Sequence, residues 1–181
     1  MNTLILGIGN LLLCDEGIGV HAVHALQREG LPPNVIAMEV GTALIDALPE
    51  IEKADRIIII DAMKADHGPG TVYRVPLSKC LKPDCMASMH GFDISRVLFL
   101  AGRTSISDVI VIGVEPAQIG WGTEPSPQIR NSIPAVIETV MTEIAENVSR
   151  KQNTRPLSQR HSASIMGHPG ACIEKERKDS L

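Results

Sequence analysis

Aromatic residues are almost missing from this 181-residue chain: two Phe, one Tyr and one Trp, 2% of the total. Base stacking therefore has little to work with, and the core has to be built from Ile, Leu, Val, Ala and Met. A basic excess is missing as well. Lys and Arg number 17 against 21 Asp and Glu, a formal net charge of −4, which argues against electrostatic affinity for nucleic acid or an anionic membrane. The longest apolar runs, Leu11-Leu12-Leu13 and Ile57-Ile58-Ile59-Ile60, fall far short of the roughly 20 residues a membrane span needs. The four cysteines, Cys14, Cys80, Cys85 and Cys172, are scattered with no CxxC pair, and no basic leader with a cleavage site is visible. The expectation is a cytoplasmic protein with reduced thiols and no structural disulfide. No large apolar patch is legible, so a monomer is the default.

What is present reads as one domain with a tail. Leu4-Ile5-Leu6-Gly7-Ile8-Gly9 is a buried strand running into a tight turn, and residues 18–28 carry apolar positions at Ile18, Ala22, Ala25 and Leu26, a helix closed by Gly30. Residues 35–40 form a second strand. Thr42 is placed to cap a helix through Leu44, Ile45 and Leu48, and residues 56–61 form a third, fully buried strand. Gly68-Pro69-Gly70 is a turn before an alternating strand, residues 71–76, which suits a sheet edge and an antiparallel direction. A helix over residues 92–101, a buried strand over 108–114 and a long helical stripe from Ser126-Pro127 to Val148 complete the body, with Pro134 expected to kink the stripe or restart it. This alternation predicts a three-layer α/β/α sandwich with a mostly parallel, five-stranded sheet. The body is assigned to residues 1–148, and residues 149–181 to a polar, basic, flexible tail.

In such a sheet, ligands bind beyond the carboxyl ends of the strands where the strand order reverses. With the order 2-1-3, Glu16, after the first strand, and Asp61, at the end of the third, come from neighbouring strand ends, and His90 can close a triangle with them. Plainer roles compete: Asp15 or Glu16 also suits the positive end of the following helix, Asp61 suits loop amides, and His90 suits a backbone partner. A dinucleotide site is a rival, because Gly7-x-Gly9 follows a strand and Glu39 ends the next. The fingerprint is incomplete, because its third glycine position is Leu12, which in such a site would crowd the helix against the strand. Cys80-x4-Cys85-x4-His90 is a weak zinc pattern without a fourth close ligand, His21 and His24 sit on the polar side of their helix, and Cys14 reads as a buried thiol.

Gly7-Ile8-Gly9-Asn10 with Asp15-Glu16-Gly17-Ile18-Gly19, Ile60-Asp61-Ala62 with Gly68-Pro69-Gly70-Thr71-Val72, His90, and Gly113-Val114-Glu115-Pro116 with Ser126-Pro127 together resemble the hydrogenase maturation endopeptidases. The resemblance implies a phosphorylase/hydrolase-like α/β/α fold and a metal-binding catalytic triad of Glu16, Asp61 and His90, leaving Asp15 for capping or loop support. It also implies a substrate, the precursor of a nickel-iron hydrogenase large subunit, whose C-terminal peptide is removed with its nickel as the recognition element. Gly9, Asn10, Gly41 and Thr42 would shape the cleft. Val40 and Gly91 depart from the family's pattern, where a second glycine and a polar residue are common. The alternatives are a nickel-binding maturation chaperone without peptidase activity and a nucleotide-binding oxidoreductase.

Overall fold

The computed structural model describes residues 2–80, 91–103, 105 and 107–153. Its elements run β1 (Thr3–Ile8), α1 (Ile18–Glu29), β2 (Val35–Gly41), α2 (Leu48–Lys53), β3 (Arg56–Ala62), β4 (Val72–Pro76), α3 (Leu77–Cys80), α4 (Gly91–Leu100), β5 (Val109–Val114) and α5 (Pro127–Asn153). The strands form one five-stranded sheet in the order β2-β1-β3-β5-β4. Every pairing is parallel except β4 with β5, so the alternating strand is the antiparallel edge.

Alternation inside the apolar runs builds the two faces of this sheet. Ile58 and Ile60 pack with Ile5, Ile110 and Ile112 under α1 and α5, where Ile18, Val23, Leu26, Val136 and Val140 meet them. Ile57 and Ile59 point the other way, with Leu4, Leu6 and Val111, toward Leu44, Ile51, Ile94 and Leu98. Each isoleucine fully buried in this way contributes about 1.5–3 kcal/mol, which is why a core with so few aromatics suffices. The connection from β1 to β2 covers one face and that from β2 to β3 the other, so the order in which strands are added reverses between β1 and β3. That places the crevice of the switch point at their carboxyl ends.

Three local expectations change. Thr42 is not the cap of the helix after β2: Ala43 holds that position without a side-chain hydrogen bond, and Leu44–Ala47 is a 3-10 turn followed by the α-helical Leu48–Lys53. Pro49 explains the division, because a proline fits the first turn of an α-helix but cannot donate from inside one. Pro134 neither ends nor restarts α5, which remains helical from Pro127 to Asn153. Its cost is offset by the buried stripe Ile129, Val136, Ile137, Val140 and Ile144. Finally, where no large apolar patch is legible in the sequence, Leu11, Leu12, Ile119 and Trp121 are all exposed. The chain falls into two compact units, Met1–Ala145, which holds the sheet, and Glu146–Leu181, of which residues 146–153 are described.

Candidate active site

β1 and β3 end side by side, Gly7 pairing with Ile60 one residue before Asp61. Between β1 and α1 the chain makes a loop that ends in a 3-10 turn, Asp15–Gly17, packed against β3. Two glycines allow this. Gly9 has φ 131°, and a Cβ there would stand 1.8 Å from the carbonyl oxygen of Glu16. A Cβ on Gly19 would stand 2.2 Å from the carbonyl oxygens of both Ile8 and Ile60, so only glycine lets α1 start wedged between the two strand ends. The glycine pattern thus serves a close crossing of backbone that brings Glu16 and Asp61 to one edge of the sheet. Leu12, at the third position of the incomplete dinucleotide pattern, lies in the exposed loop before α1.

The adjacent acids Asp15 and Glu16 have opposite environments. Asp15 is fully buried, and its Oδ2 accepts from the amides of Ala117 (2.9 Å) and Gln118 (2.8 Å) and from Ser126 Oγ (3.0 Å), while Oδ1 accepts from the Ser126 amide (2.6 Å). It ties the loop after β5 and the start of α5 to the 3-10 turn. Glu16 is half-buried, and its Oε2 is buried with no hydrogen-bond partner among the described residues. A buried acceptor oxygen is costly to hold without a partner. Asp61 is 3% exposed at the end of β3. His90 lies outside the described residues, and among those that are described no three His, Cys, Asp or Glu side chains gather as a metal-ligand set. Glu16 and Asp61 are therefore the two members of the expected triad that the fold brings to this edge.

The other expected residues surround them. The Gly9 amide donates to the Gly41 carbonyl (3.1 Å), joining the ends of β1 and β2. Asn10 holds the next turn through Oδ1, which accepts from the Leu12 amide (2.9 Å), and its carbonyl, which accepts from Leu13 (3.0 Å). Thr42 is exposed just beyond β2. Glu39 is paired with His24 across α1 and β2, so the acid a ribose would need is already engaged. His21 has a buried Nε2 without a hydrogen-bond partner among the described residues, and burial, helped by nearby His24, pulls its pKa down against the opposing pull of Glu124. Cys14 is buried and free, and Cys80 Sγ lies 3.8 Å from the Pro76 carbonyl oxygen; Cys85, the other thiol of the weak zinc pattern, lies outside the described residues with His90.

One acid was quoted in the sequence motif but given no role: Glu115, immediately after β5. It is 6% exposed and accepts from the Ala65 amide (2.8 Å), the His67 amide (3.4 Å) and the Tyr73 hydroxyl (2.5 Å), holding the loop that follows Asp61. Burial pushes its pKa up, but the bonds from Tyr73, Ala65 and His67 outweigh that and hold it below the usual carboxylate range. Tyr73 is pushed up to about 12 by desolvation and by the bond to Glu115. The only signal for this clamp in the sequence was an acid at the end of a buried strand.

A mostly parallel α/β sheet with two carboxylates at its switch point defines an enzyme-like class, and the comparisons give it a family. Residues 20–143 match the hydrogenase maturation protease family, and the chain belongs to it. The hydrogenase 2 maturation protease of Escherichia coli K12 is 45% identical over 156 residues, covering 81% of this chain and 93% of that protein. The hydrogenase expression/formation protein HupD of Thiocapsa roseopersicina is 36% identical over 150 residues, 79% of this chain and 67% of its own length. Among solved structures, the hydrogenase maturating endopeptidase HybD of E. coli has a TM-score of 0.70 at 28% identity, covering 81% of this chain and 94% of that one. HybD of Thermococcus kodakarensis, a [NiFe] hydrogenase maturation protease, has a TM-score of 0.64 at 26% identity over 78% and 98%. The five-stranded fold expected from the sequence is that of this family.

Proposed function

We propose that this chain is an endopeptidase that removes the C-terminal peptide of a nickel-loaded nickel-iron hydrogenase large-subunit precursor. The observation that carries the reading is the buried Glu16 Oε2 left without a partner among the described residues, beside the strand end that presents Asp61, while Asp15 next to it is saturated. Glu16, Asp61 and His90 are assigned to contact nickel that arrives with the precursor. Two carboxylates and an imidazole suit a divalent ion and leave coordination positions for a substrate group. Held there, the ion would position the scissile bond, polarise its carbonyl or activate water. The chain's own part is to hold the carboxylates rigidly through Gly9, Gly19 and the Asp15 clamp, and to seat the substrate along Asn10, Gly41 and Thr42.

The peptidase role is assigned to residues 1–148, with residues 149–181 a tail outside it. The matched family region ends at residue 143, inside that boundary. Among the described residues no helix is long and apolar enough to cross a membrane, and a cytoplasmic monomer is the working assignment.

The test is the intact mass of nickel-loaded and nickel-free precursor incubated with this protein. Loss of a C-terminal peptide from the loaded form alone is the expected result. Cleavage of both forms would remove nickel as the recognition element, and nickel-dependent binding without any change in length would make the protein a maturation chaperone.

A further inference from the structure

We propose that the paired loops at residues 11–14 and 119–122 form a docking rim for the precursor chain beside its scissile bond, taking an extended apolar segment that also carries Lys or Arg. This rests on the peptidase reading above. The two loops are laced together by backbone bonds, from the Cys14 amide to the Gly122 carbonyl (2.8 Å) and from the Gly122 amide to the Leu12 carbonyl (2.9 Å), and Leu13 and Cys14 bridge Gly122 and Ile119 like short strands. Asp15 anchors the pair from beneath through the Ala117 and Gln118 amides. Yet the side chains on this fixed frame face water: Trp121 is 86% exposed, Leu12 54%, Ile119 47% and Leu11 37%.

A chain that fixes its backbone this firmly and leaves its only tryptophan in solvent has the anatomy of a binding patch, since aromatic and aliphatic anchors on a preorganised frame dominate interface energetics. Two observations choose the occupant. First, the rim is continuous with the active site: Leu11 Cδ2 lies 3.1 Å from where a Cβ on Gly17 would be, and Gly17 follows Glu16 directly. The rim is therefore a neighbouring surface for a peptide held at Glu16. Second, the body that carries the rim is acidic overall. Residues 1–148 carry 10 Lys and Arg against 18 Asp and Glu. Glu124, three residues past Trp121, is 83% exposed and forms a long 3.9 Å ion pair with Arg130. A neutral-to-basic apolar segment is complementary to such a rim, whereas an acidic one is repelled.

Because Trp121 is the only tryptophan, replacing it by 5-fluorotryptophan places one fluorine resonance on the rim. Unlabelled nickel-loaded precursor, added to Asp61→Asn protein so labelled, is expected to shift that resonance. In processing assays with the native aspartate, Trp121→Ser and Leu12→Ser are expected to raise KM about tenfold or more with a smaller effect on kcat, the pattern of lost uniform binding, and Trp121→Phe to restore most of it. Unchanged melting temperatures would show that these exposed positions left the fold intact. Processing with no shift and no change in KM would overturn the docking rim and leave the peptidase reading standing. A shift with no processing would keep the rim and refute the peptidase reading, and absence of both would refute the two together. A shift produced by raising the concentration of the labelled protein alone would make the surface an interface between copies of this chain, and the proposal would fall.

Discussion

At the start of β3, Glu143 of α5 is closed off by Arg56 and Arg74, whereas at the other end of the same strand Glu16 keeps a buried oxygen without a partner among the described residues. Glu143 is 3% exposed, accepts from Arg74 Nη2 at 2.9 Å, and gives its backbone carbonyl to Arg56 Nη1 at 2.8 Å. Burial works against its charge, and the bonds and charges of Arg74 and Arg56 overcome it and hold its pKa below the carboxylate range. Every acceptor oxygen there is answered inside the protein, which is what a structural acid requires. At the opposite end the structural work falls to Asp15 and Glu115, while the Glu16 Oε2 has no hydrogen-bond partner among the described residues. An answered carboxylate holds the fold together, and the proposed function gives the unanswered one a substrate to meet.

Exchanging the roles of these acids breaks the comparison most sharply. Glu16→Gln and Asp61→Asn are expected to lower precursor processing by about a thousandfold or more, as removal of groups that contact the reacting centre does. Their melting temperatures should stay within about 3 °C of the native protein, checked by calorimetry beside the processing assay. Glu143→Leu should do the reverse. It strands a buried Arg56 and is expected to cost about 3–5 kcal/mol in urea unfolding, with near-native processing by the fraction that remains folded.

Asp15→Asn is intermediate. Its amide nitrogen would meet one of the amides or hydroxyls that now donate to the carboxylate, at a cost of about 1–3 kcal/mol. Because the same bonds hold the loop behind Glu16, processing should also fall, and the two losses are read from unfolding curves and initial rates of one sample.

The smallest expected effect is that of pH. Glu143 and Glu115 both titrate below the ordinary carboxylate range, so the native state binds protons more weakly than the unfolded chain. Their stabilisation is complete above the unfolded carboxylate pKa and is lost as pH falls through the lower folded values. Urea midpoints should therefore drop from neutral toward acid pH, and Glu115→Gln should flatten part of that slope. At the alkaline end the sign reverses for Tyr73, whose contribution is kept below its ordinary value of 10.0 and lost as pH rises through about 12.

Much of this arrangement was legible because it follows from strong local rules. The runs Leu4-Ile5-Leu6 and Ile57-Ile58-Ile59-Ile60 read as strands buried on both faces, and the order of elements then puts Glu16 and Asp61 at one switch point. The reason for the glycines was not legible, since the fit of Gly19 between the Ile8 and Ile60 carbonyls depends on how closely α1 crosses the strand ends. The division of labour between Asp15 and Glu16 did not follow from spacing either. Adjacent acids look alike in a sequence, and what separates them is the arrival of Ala117, Gln118 and Ser126 from about a hundred residues away. The clamp on Glu115 and the exposure of Trp121 have the same origin, in loops whose partners are set by tertiary structure rather than by periodicity. The misplaced cap at Thr42 shows a weak preference overridden, because the position of Pro49 decides where the α-helix after β2 begins.

The most direct measurement is nickel-edge X-ray absorption of the nickel-loaded precursor, alone and mixed with this protein or with its Glu16→Gln variant. Added oxygen or nitrogen ligation on mixing with the native protein, absent with the variant, is the expected result. An unchanged nickel environment in a sample that is nonetheless processed would contradict the assignment of Glu16 to the metal.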